Sequence, residues 1–148
     1  SFNPAHQGHF LISKQAIDIY KCDYVIWLVA KQNPLKTMYK DPIHKRAEQA
    51  SRMVSHPRII VSSLEDELGG CYLYNSLTKL IARLSGNHFI WLMGVDNLTN
   101  FHKWYRNEEI SMLCEMILFD RPVKERFVNN SQFNLLFTSC LIIHSKYL

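Results

Sequence analysis

Hydrophobic and polar positions along this chain alternate between a helical spacing and a strand spacing. From Gly8 the apolar residues recur every three or four positions, so that Phe10, Ala16 and Tyr20 can share one stripe of an amphipathic helix. Residues 24–29 (Tyr-Val-Ile-Trp-Leu-Val) then form a continuous apolar run of strand length. Such a run, rich in β-branched and aromatic residues, is typical of a parallel strand that is covered on both faces.

The alternation continues along the rest of the chain. It predicts further helices from Pro42 to about His56, from Leu73 to Leu84 and from about Val123, and further strands at residues 58–63, 88–93, 116–119 and 141–143. Helices and strands that alternate at this spacing form βαβ units, which give a parallel sheet with right-handed crossovers. The predicted fold class is therefore α/β, a Rossmann-like doubly wound parallel sheet, and 148 residues correspond to a single domain, residues 1–148.

In sheets of this kind, ligands bind outside the carboxyl ends of the strands. The segments that follow the predicted strands, residues 31–40, 94–104 and 120–122, are therefore where a binding site is expected. The chain carries 17 Lys and Arg against 13 Asp and Glu, a net charge of +4, without a clustered basic face. This mild positive charge suits small anionic ligands and predicts no nucleic-acid partner.

The cysteines and the hydropathy pattern indicate the compartment. Cys22, Cys71, Cys114 and Cys140 include no Cys-x-x-Cys pair, which excludes zinc-ribbon and thioredoxin-type sites. Isolated thiols in mostly apolar surroundings are typical of buried, reduced cysteines. No apolar run approaches the ~18 residues of a membrane helix, and no secretory signal is visible, so we expect a cytoplasmic protein without a membrane partner.

Residues 1–9, Ser-Phe-Asn-Pro-Ala-His-Gln-Gly-His, combine a loop with the start of the first predicted helix. Gly8 allows close approach of a ligand, and the unpaired N–H groups and dipole of a helix N-terminus favour a phosphate there. His6 and His9 are three positions apart, so both imidazoles can donate hydrogen bonds to an anion whose charge grows in a transition state. Two other interpretations stay open: a helix start with two surface histidines, or half of a metal site for which no motif positions a third ligand.

This stretch resembles the signature G-[ST]-F-[DN]-P-x-H-x-G-H of the nucleotidyltransferase superfamily of HxGH type, which are Rossmann-like adenylyl or cytidylyl transferases. The resemblance implies that both histidines are catalytic and hold ATP phosphates. It also implies contacts to ATP by Ser1, Phe2 and Gly8, and to the second substrate by Asn3. Class I aminoacyl-tRNA synthetases share the His-x-Gly-His element, but this chain has no Lys-Met-Ser-Lys-Ser element and is short for that class.

Residues 94–104 add a second pattern, in which Gly94, Asp96, Asn97 and Leu98 are followed by Phe101 and Trp104. The stretch resembles G-x-D-[NS]-L-x-x-F-x-x-W of bacterial nicotinate-mononucleotide adenylyltransferases. Gly94 lets a nucleotide approach the backbone, Asp96 can accept hydrogen bonds from a ribose, and Trp104 offers a flat face to a pyridinium ring. The alternatives are an ordinary strand-to-helix turn and core packing of the tryptophan. The resemblance places Gly94 and Asp96 on the ATP side, and Leu98, Trp104 and Tyr105 on the mononucleotide.

Basic residues in three other segments also match this family. Lys36, in Asn33-Pro-Leu-Lys36, and Arg46, in the next predicted helix, are implied to add catalytic positive charge. A solvated loop lysine is the alternative for Lys36. Arg121, in Phe119-Asp-Arg-Pro, corresponds to a closing R-P element and is implied to bind ATP.

The segment Cys71-Tyr-Leu-Tyr-Asn-Ser-Leu lies where relatives read close to S-Y-T-x-D-T-L. Leu73, Asn75 and Ser76 then stand at positions implied to bind the mononucleotide. Leu73 replaces a threonine, however, so its side chain offers the nicotinate no polar contact. Asn107 likewise stands where relatives often carry a second tryptophan, which thins one wall of the expected pocket.

The ends of the sequence depart from the family pattern as well. The glycine and the strand that normally precede Ser1, the first and central strand of the sheet, are absent, and so is a final I-S-S-T-x-[IV]-R element. A doubly wound sheet without its central strand exposes hydrogen-bonding edges. We therefore expect that residues 1–148 by themselves form no stable, active domain.

The reaction that the resemblance implies joins ATP and nicotinate mononucleotide to give nicotinate adenine dinucleotide and pyrophosphate, a step of NAD biosynthesis. Mg²⁺ is expected with ATP and pyrophosphate, held by phosphates and water, and a homodimer is compatible with the resemblance. Two alternatives are kept: another adenylyltransferase, such as the pantetheine-phosphate enzyme, and a nucleotide-binding domain without activity.

Overall fold

The computed structural model describes residues 2–68 and 70–119, and the backbone of residues 140–145. The strands are β1 (Tyr24–Leu28), β2 (Ile59–Ser62), β3 (Asn87–Gly94), β4 (Glu115–Phe119) and β5 (Cys140–Ser145). The helices are α1 (Gln7–Tyr20), α2 (Ile43–Met53), α3 (Leu73–Arg83), α4 (Leu98–Phe101) and α5 (Asn107–Leu113), with a 3-10 turn at Val95–Asn97. In the part of the chain that the structure describes, no helix is both long enough and apolar enough to cross a membrane.

The strands form one sheet in the order β2-β1-β5-β3-β4. β1 is parallel to β2, β3 is parallel to β4, and β5 is antiparallel to both β1 and β3. The four strands other than β5 therefore all run in one direction. Their carboxyl ends share one edge of the sheet, which is the edge where a ligand site is expected.

Both faces of the sheet are covered, as the apolar runs in β1 and β3 require. One core contains Val25, Trp27 and Ile90 together with buried residues of α1 and α2. The other contains Ile26 and Trp91 together with buried residues of α3 and α5. Successive residues of a strand point to opposite faces, so each strand contributes alternately to the two cores.

The predicted α/β, doubly wound architecture is confirmed, and the predicted helices 42–56 and 73–84 are observed as α2 and α3. The expectation that every strand is parallel is wrong for β5. A strand that begins at the edge where β4 ends runs back antiparallel, whereas a parallel strand requires the chain first to cross to the opposite edge. The helix predicted from about Val123 lies outside the described residues, and the short helices α4 and α5 were not predicted.

Candidate functional site

A cleft opens at the carboxyl ends of β1 and β3, on the side of the sheet that α3 and α5 cover. Loop residues 32–36, which follow β1, form one wall. Residues 71–73, at the start of α3, and residues 103–105, between α4 and α5, form the other walls. Three segments that are distant in sequence thus meet at the edge where open α/β sheets bind their ligands.

Four of the predicted site residues line this cleft together: Lys36, Leu73, Trp104 and Tyr105. Trp104 is half-buried and its ring packs against Phe101, with centroids 5.4 Å apart. Trp104 therefore lies both against the core and at the cleft, and the two interpretations of this residue are compatible. The cleft combines an ammonium group with flat aromatic surfaces, which suits an anion joined to an aromatic ring.

Tyr105 extends the aromatic surface at the mouth of the cleft. Its ring lies 4.8 Å from that of Tyr72, which also lines the cleft, and 6.2 Å from that of Tyr74. The Arg106 guanidinium lies 4.8 Å from the centre of the Tyr74 ring. This tyrosine group places several ring faces and hydroxyls beside Trp104.

Lys36 belongs to the β1–α2 loop, residues 29–42. The side chain of Gln32 holds this loop together through hydrogen bonds. The Gln32 side-chain amide donates to the carbonyls of Asn33, Lys36 and Thr37 at 3.0–3.2 Å. Its carbonyl oxygen accepts the Tyr39 N–H at 3.2 Å. Although residues 35–38 are exposed, this side chain ties the two ends of their turn together.

Arg46 holds the same loop from α2, although it was expected to face phosphates. Its side chain is 1% exposed. Nε donates to the Asp41 carbonyl at 3.0 Å, and Nη2 donates to the carbonyls of Ala30 at 2.7 Å and Lys31 at 3.0 Å. The guanidinium also lies 4.5 Å from the centre of the Tyr39 ring. The structure thus places Arg46 among backbone acceptors and not on the wall of the cleft, so a direct contact with phosphate stays a prediction.

Glu65, at the base of the cleft, is a buried carboxylate that the sequence patterns did not single out. It is 4% exposed. One oxygen accepts the Lys31 N–H at 2.6 Å, and the other lies 3.4 Å from the Ser76 hydroxyl, which donates to it. Burial raises the pKa of the Glu65 carboxyl above its usual value, and the hydrogen bond from Lys31 opposes that shift.

The two predicted histidines do lie together, at the N-terminus of α1. His6 is the N-cap residue, and the rings of His6 and His9 stack with centroids 3.7 Å apart. The His6 backbone N–H donates to Nδ1 of His9 at 2.9 Å. Since Nδ1 accepts, the neutral His9 ring carries its proton on Nε2, where it can donate to a ligand. Neither histidine lines the cleft described above.

Two aromatic rings pack against the His9 side chain. Phe2, Trp27 and His9 form a group in which Phe2 lies 4.8 Å from His9 and 4.9 Å from Trp27, measured between ring centroids. Trp27 Nε1 donates to the Ser13 hydroxyl at 2.7 Å, and that hydroxyl donates to the His9 carbonyl at 2.8 Å. His9 therefore sits in a fixed, largely apolar setting with 3% of its surface exposed.

This setting keeps the histidines uncharged. Burial, and to a lesser degree the neighbouring His6, lowers the pKa of His9 to about 2. Burial also lowers the pKa of His6. At neutral pH both rings are therefore neutral hydrogen-bond donors, which is one of the two forms in which histidine can stabilise developing charge.

The remaining predicted site residues are spread more widely. Phe2 is buried against His9, with a backbone φ of 47°, and Asn3 is exposed. Ser76 is buried against Glu65, away from the cleft wall. Ser1 and Arg121 lie outside the described residues. The others take these positions: Gly8 in the first turn of α1, Gly94 at the end of β3, Asp96 in the 3-10 turn, Asn75 within α3 and Leu98 exposed at the start of α4.

Sequence reasoning missed three residues that shape the site: Glu65, Gln32 and Trp91. Trp91 lines the cleft while 2% exposed, and its Nε1 has no hydrogen-bond partner among the described residues. Glu65 stands beside Asp66 and Glu67 in the sequence, and nothing local separates the buried carboxylate from its exposed neighbours. Only the assembled fold distinguishes them.

Comparisons with known proteins show the family of this chain. A family model described as cytidylyltransferase-like matches residues 1–145. A probable nicotinate-nucleotide adenylyltransferase of Roseobacter denitrificans is 42% identical over 122 residues, which cover 82% of this chain and 61% of the relative. Proteins of the same name from Rhizobium etli and Cereibacter sphaeroides are 42% and 40% identical, again over 82% of this chain. The chain spans 64% and 66% of those two relatives, and thus less than two thirds of the length of each of the three.

Proposed function

Since the chain belongs to the cytidylyltransferase-like family, we propose that it transfers the adenylyl group of ATP to nicotinate mononucleotide, giving nicotinate adenine dinucleotide and pyrophosphate. The observation that carries the proposal is the cleft at the carboxyl edge of the sheet, which is lined by Lys36 together with Trp104 and Tyr105. A mononucleotide of a pyridine base offers a phosphate to the Lys36 ammonium and a flat cation to the aromatic rings. The names of the three relatives support this assignment.

In the proposed reaction, a 5′-phosphate oxygen of the mononucleotide attacks the α-phosphorus of ATP in line. A new P–O bond forms while the bond to the bridging oxygen of the β-phosphate breaks, and pyrophosphate leaves with that electron pair. The protein forms no covalent bond, so its contribution is positioning and stabilisation of charge. Nε2 of His9 and the ring of His6 donate to the ATP phosphates, and Lys36 neutralises phosphate charge from the β1–α2 loop.

Mg²⁺ enters this proposal as part of the substrate, bound to the phosphates of ATP. Among residues 2–68 and 70–119, no three His, Cys, Asp or Glu side chains are grouped so as to hold a metal ion. Magnesium commonly keeps several waters and binds through substrate phosphates, so ATP supplies its main ligands here. Among the described side chains, Cys22, Cys71 and Cys114 are free thiols, which suit the reducing cytoplasm where we propose that the protein acts.

The test is a direct assay of the purified full-length protein with MgATP, in which pyrophosphate release is followed. Parallel reactions contain nicotinate mononucleotide, nicotinamide mononucleotide or 4′-phosphopantetheine, and a reaction without acceptor corrects for ATP hydrolysis. We expect turnover with nicotinate mononucleotide and a dinucleotide product of matching mass. Turnover only with phosphopantetheine indicates the other adenylyltransferase, and ATP binding without turnover indicates a nucleotide-binding domain. Light scattering on the same sample tests the expected homodimer.

A further inference from the structure

A single peptide group at the start of the β1–α2 loop lies between two buried charges of opposite sign. The Ala30 carbonyl accepts from Arg46 Nη2 at 2.7 Å, and the N–H of the next residue, Lys31, donates to the Glu65 carboxylate at 2.6 Å. This C=O and this N–H belong to the same peptide unit, and in a trans peptide they point in opposite directions. The guanidinium therefore contacts one side of the unit and the carboxylate contacts the other.

This arrangement suits the electrostatics of all three groups. A peptide dipole has its negative end at the oxygen and its positive end at the N–H, so each charge meets the end that attracts it. Charge-assisted hydrogen bonds of this kind are roughly twice as strong as neutral ones. Arg46 is 1% exposed and Glu65 4% exposed, so both charges act where water screens them little.

We infer that Arg46 and Glu65 are positioning residues, which clamp the Ala30–Lys31 peptide and thereby hold the β1–α2 loop, with Lys36, over the cleft. The inference rests on the proposed function for the role of Lys36. Both residues act through the backbone of the loop, since Arg46 does not line the cleft and Glu65, at its base, has the charge opposite to that of Lys36. Arg46 thus contributes to the reaction by geometry and not by a direct contact with phosphate.

The Val29 N–H donates to the Ser62 carbonyl and anchors the first residue of the loop, and two further contacts contribute less to its orientation. Gln32 ties the loop to itself, which fixes its shape but not its orientation on the sheet. The Lys31–Asp66 ion pair has side chains that are 56% and 49% exposed, and exposed pairs of this kind stabilise little. Arg46 and Glu65 instead connect the loop to α2 and to the segment after β2, both of which are packed on the sheet. Displacing a catalytic group by about 1 Å can cost about a hundredfold in rate.

The experiment compares Arg46→Lys and Glu65→Gln with the control Arg52→Lys. Lysine keeps the positive charge but lacks the planar fork that reaches two carbonyls. Glutamine keeps an acceptor for the Lys31 N–H but removes the negative charge. Arg52 lies on the same helix as Arg46, is exposed, and pairs with Glu48 at 2.7 Å, so its replacement tests only the change of side-chain type.

Amide hydrogen exchange measures the clamp directly and needs no substrate. The direct reporter is the N–H group of Lys31, which donates to Glu65 at 2.6 Å, and the N–H groups of Leu35, Lys36 and Tyr39 report the internal shape of the loop. We expect exchange at Lys31 to accelerate about tenfold or more in both test variants and to stay unchanged in the control, because loop opening follows its local stability. Unchanged exchange in Arg46→Lys and Glu65→Gln overturns the clamp, whether or not the protein turns over the proposed substrates.

A double-mutant cycle with Lys36→Met separates positioning from direct contact. If Arg46 acts through the loop, Lys36→Met should lower kcat/KM about thirtyfold in the parent protein but less than about threefold in Arg46→Lys, since coupled residues are not additive. The loss in Arg46→Lys should fall mainly on kcat, because the cleft that binds the ring remains. Losses that multiply in the double variant indicate two independent phosphate contacts and refute the positioning role.

Discussion

Replacing His9 by asparagine and by glutamine separates the functions of its two ring nitrogens. The amide oxygen of asparagine can occupy the place of Nδ1 and accept the His6 N–H, which His9 accepts at 2.9 Å. Asparagine then lacks a donor at the place of Nε2. Glutamine is longer and can place its NH₂ group where Nε2 lies, but it leaves the His6 N–H without this acceptor.

We therefore expect the two variants to rank in opposite order for stability and for rate. An unsatisfied backbone N–H costs about 1–2 kcal/mol, or about 2–8 °C in Tm for a domain of this size, so His9→Gln should be the less stable variant. Loss of one donor to a developing oxyanion costs about 10²–10³ in kcat, or about 2.7–4 kcal/mol, so His9→Asn should be the less active one. Both variants shrink a ring that packs against Phe2 and Trp27, and this packing loss is common to them.

The assay combines pyrophosphate release at saturating MgATP and nicotinate mononucleotide with thermal unfolding followed by circular dichroism. Activities are compared well below the lower Tm, so that both samples are folded. If His9→Asn keeps more than about a third of the parent kcat, the Nε2 donor has no part in the transition state. If the two variants lose stability equally, the bond from His6 to Nδ1 is not what holds the ring.

Three further results are expected. Trp104→Ala should raise KM for nicotinate mononucleotide about tenfold and leave KM for ATP unchanged, since stacking on a cation contributes about 1–2 kcal/mol. A change in the KM for ATP alone contradicts this orientation of the site. Because the pKa of His9 is about 2 when folded and 6.5 when unfolded, its contribution to stability is complete above pH 6.5 and falls by about 1.4 kcal/mol per unit below it. Urea unfolding at pH 5 and 7 tests this, and His9→Asn should show a weaker dependence, to which His6 still contributes. Trp27→Phe should destabilise by about 1 kcal/mol more than Trp91→Phe, because only Trp27 loses a hydrogen bond; equal losses contradict this.

The positions of the main helices and strands follow from local signals in the sequence. The apolar run 24–29 is observed as a strand at Tyr24–Leu28, and the run 88–93 as one at Asn87–Gly94. The proximity of His6 and His9 likewise follows from their spacing of three at the start of a helix. In each case, residues close in the sequence determine the outcome, so the pattern alone is sufficient.

Long-range contacts are what the sequence does not reveal. The family resemblance implied catalytic positive charge for Arg46, and its observed acceptors are main-chain carbonyls, which every residue carries and no sequence pattern marks. Glu65 is buried because α3 packs beside it, and its neighbours Asp66 and Glu67 are exposed. The direction of β5 depends on the edge at which the strand enters the sheet, and an apolar run has no direction.

The neutrality of the histidine pair has a consequence for product release. A site built from ammonium groups attracts a polyanion at every stage of a reaction, and pyrophosphate carries more negative charge for its size than ATP. In the proposed reaction His6 and His9, whose pKa values are both lowered, bind phosphates through directional N–H donors. Such bonds are lost when the oxygens move out of line, and dissolved salt does not screen them as it screens ion pairs. In the proposed reaction the leaving group can therefore depart as soon as its geometry changes, while the exposed Lys36 brings sensitivity to ionic strength.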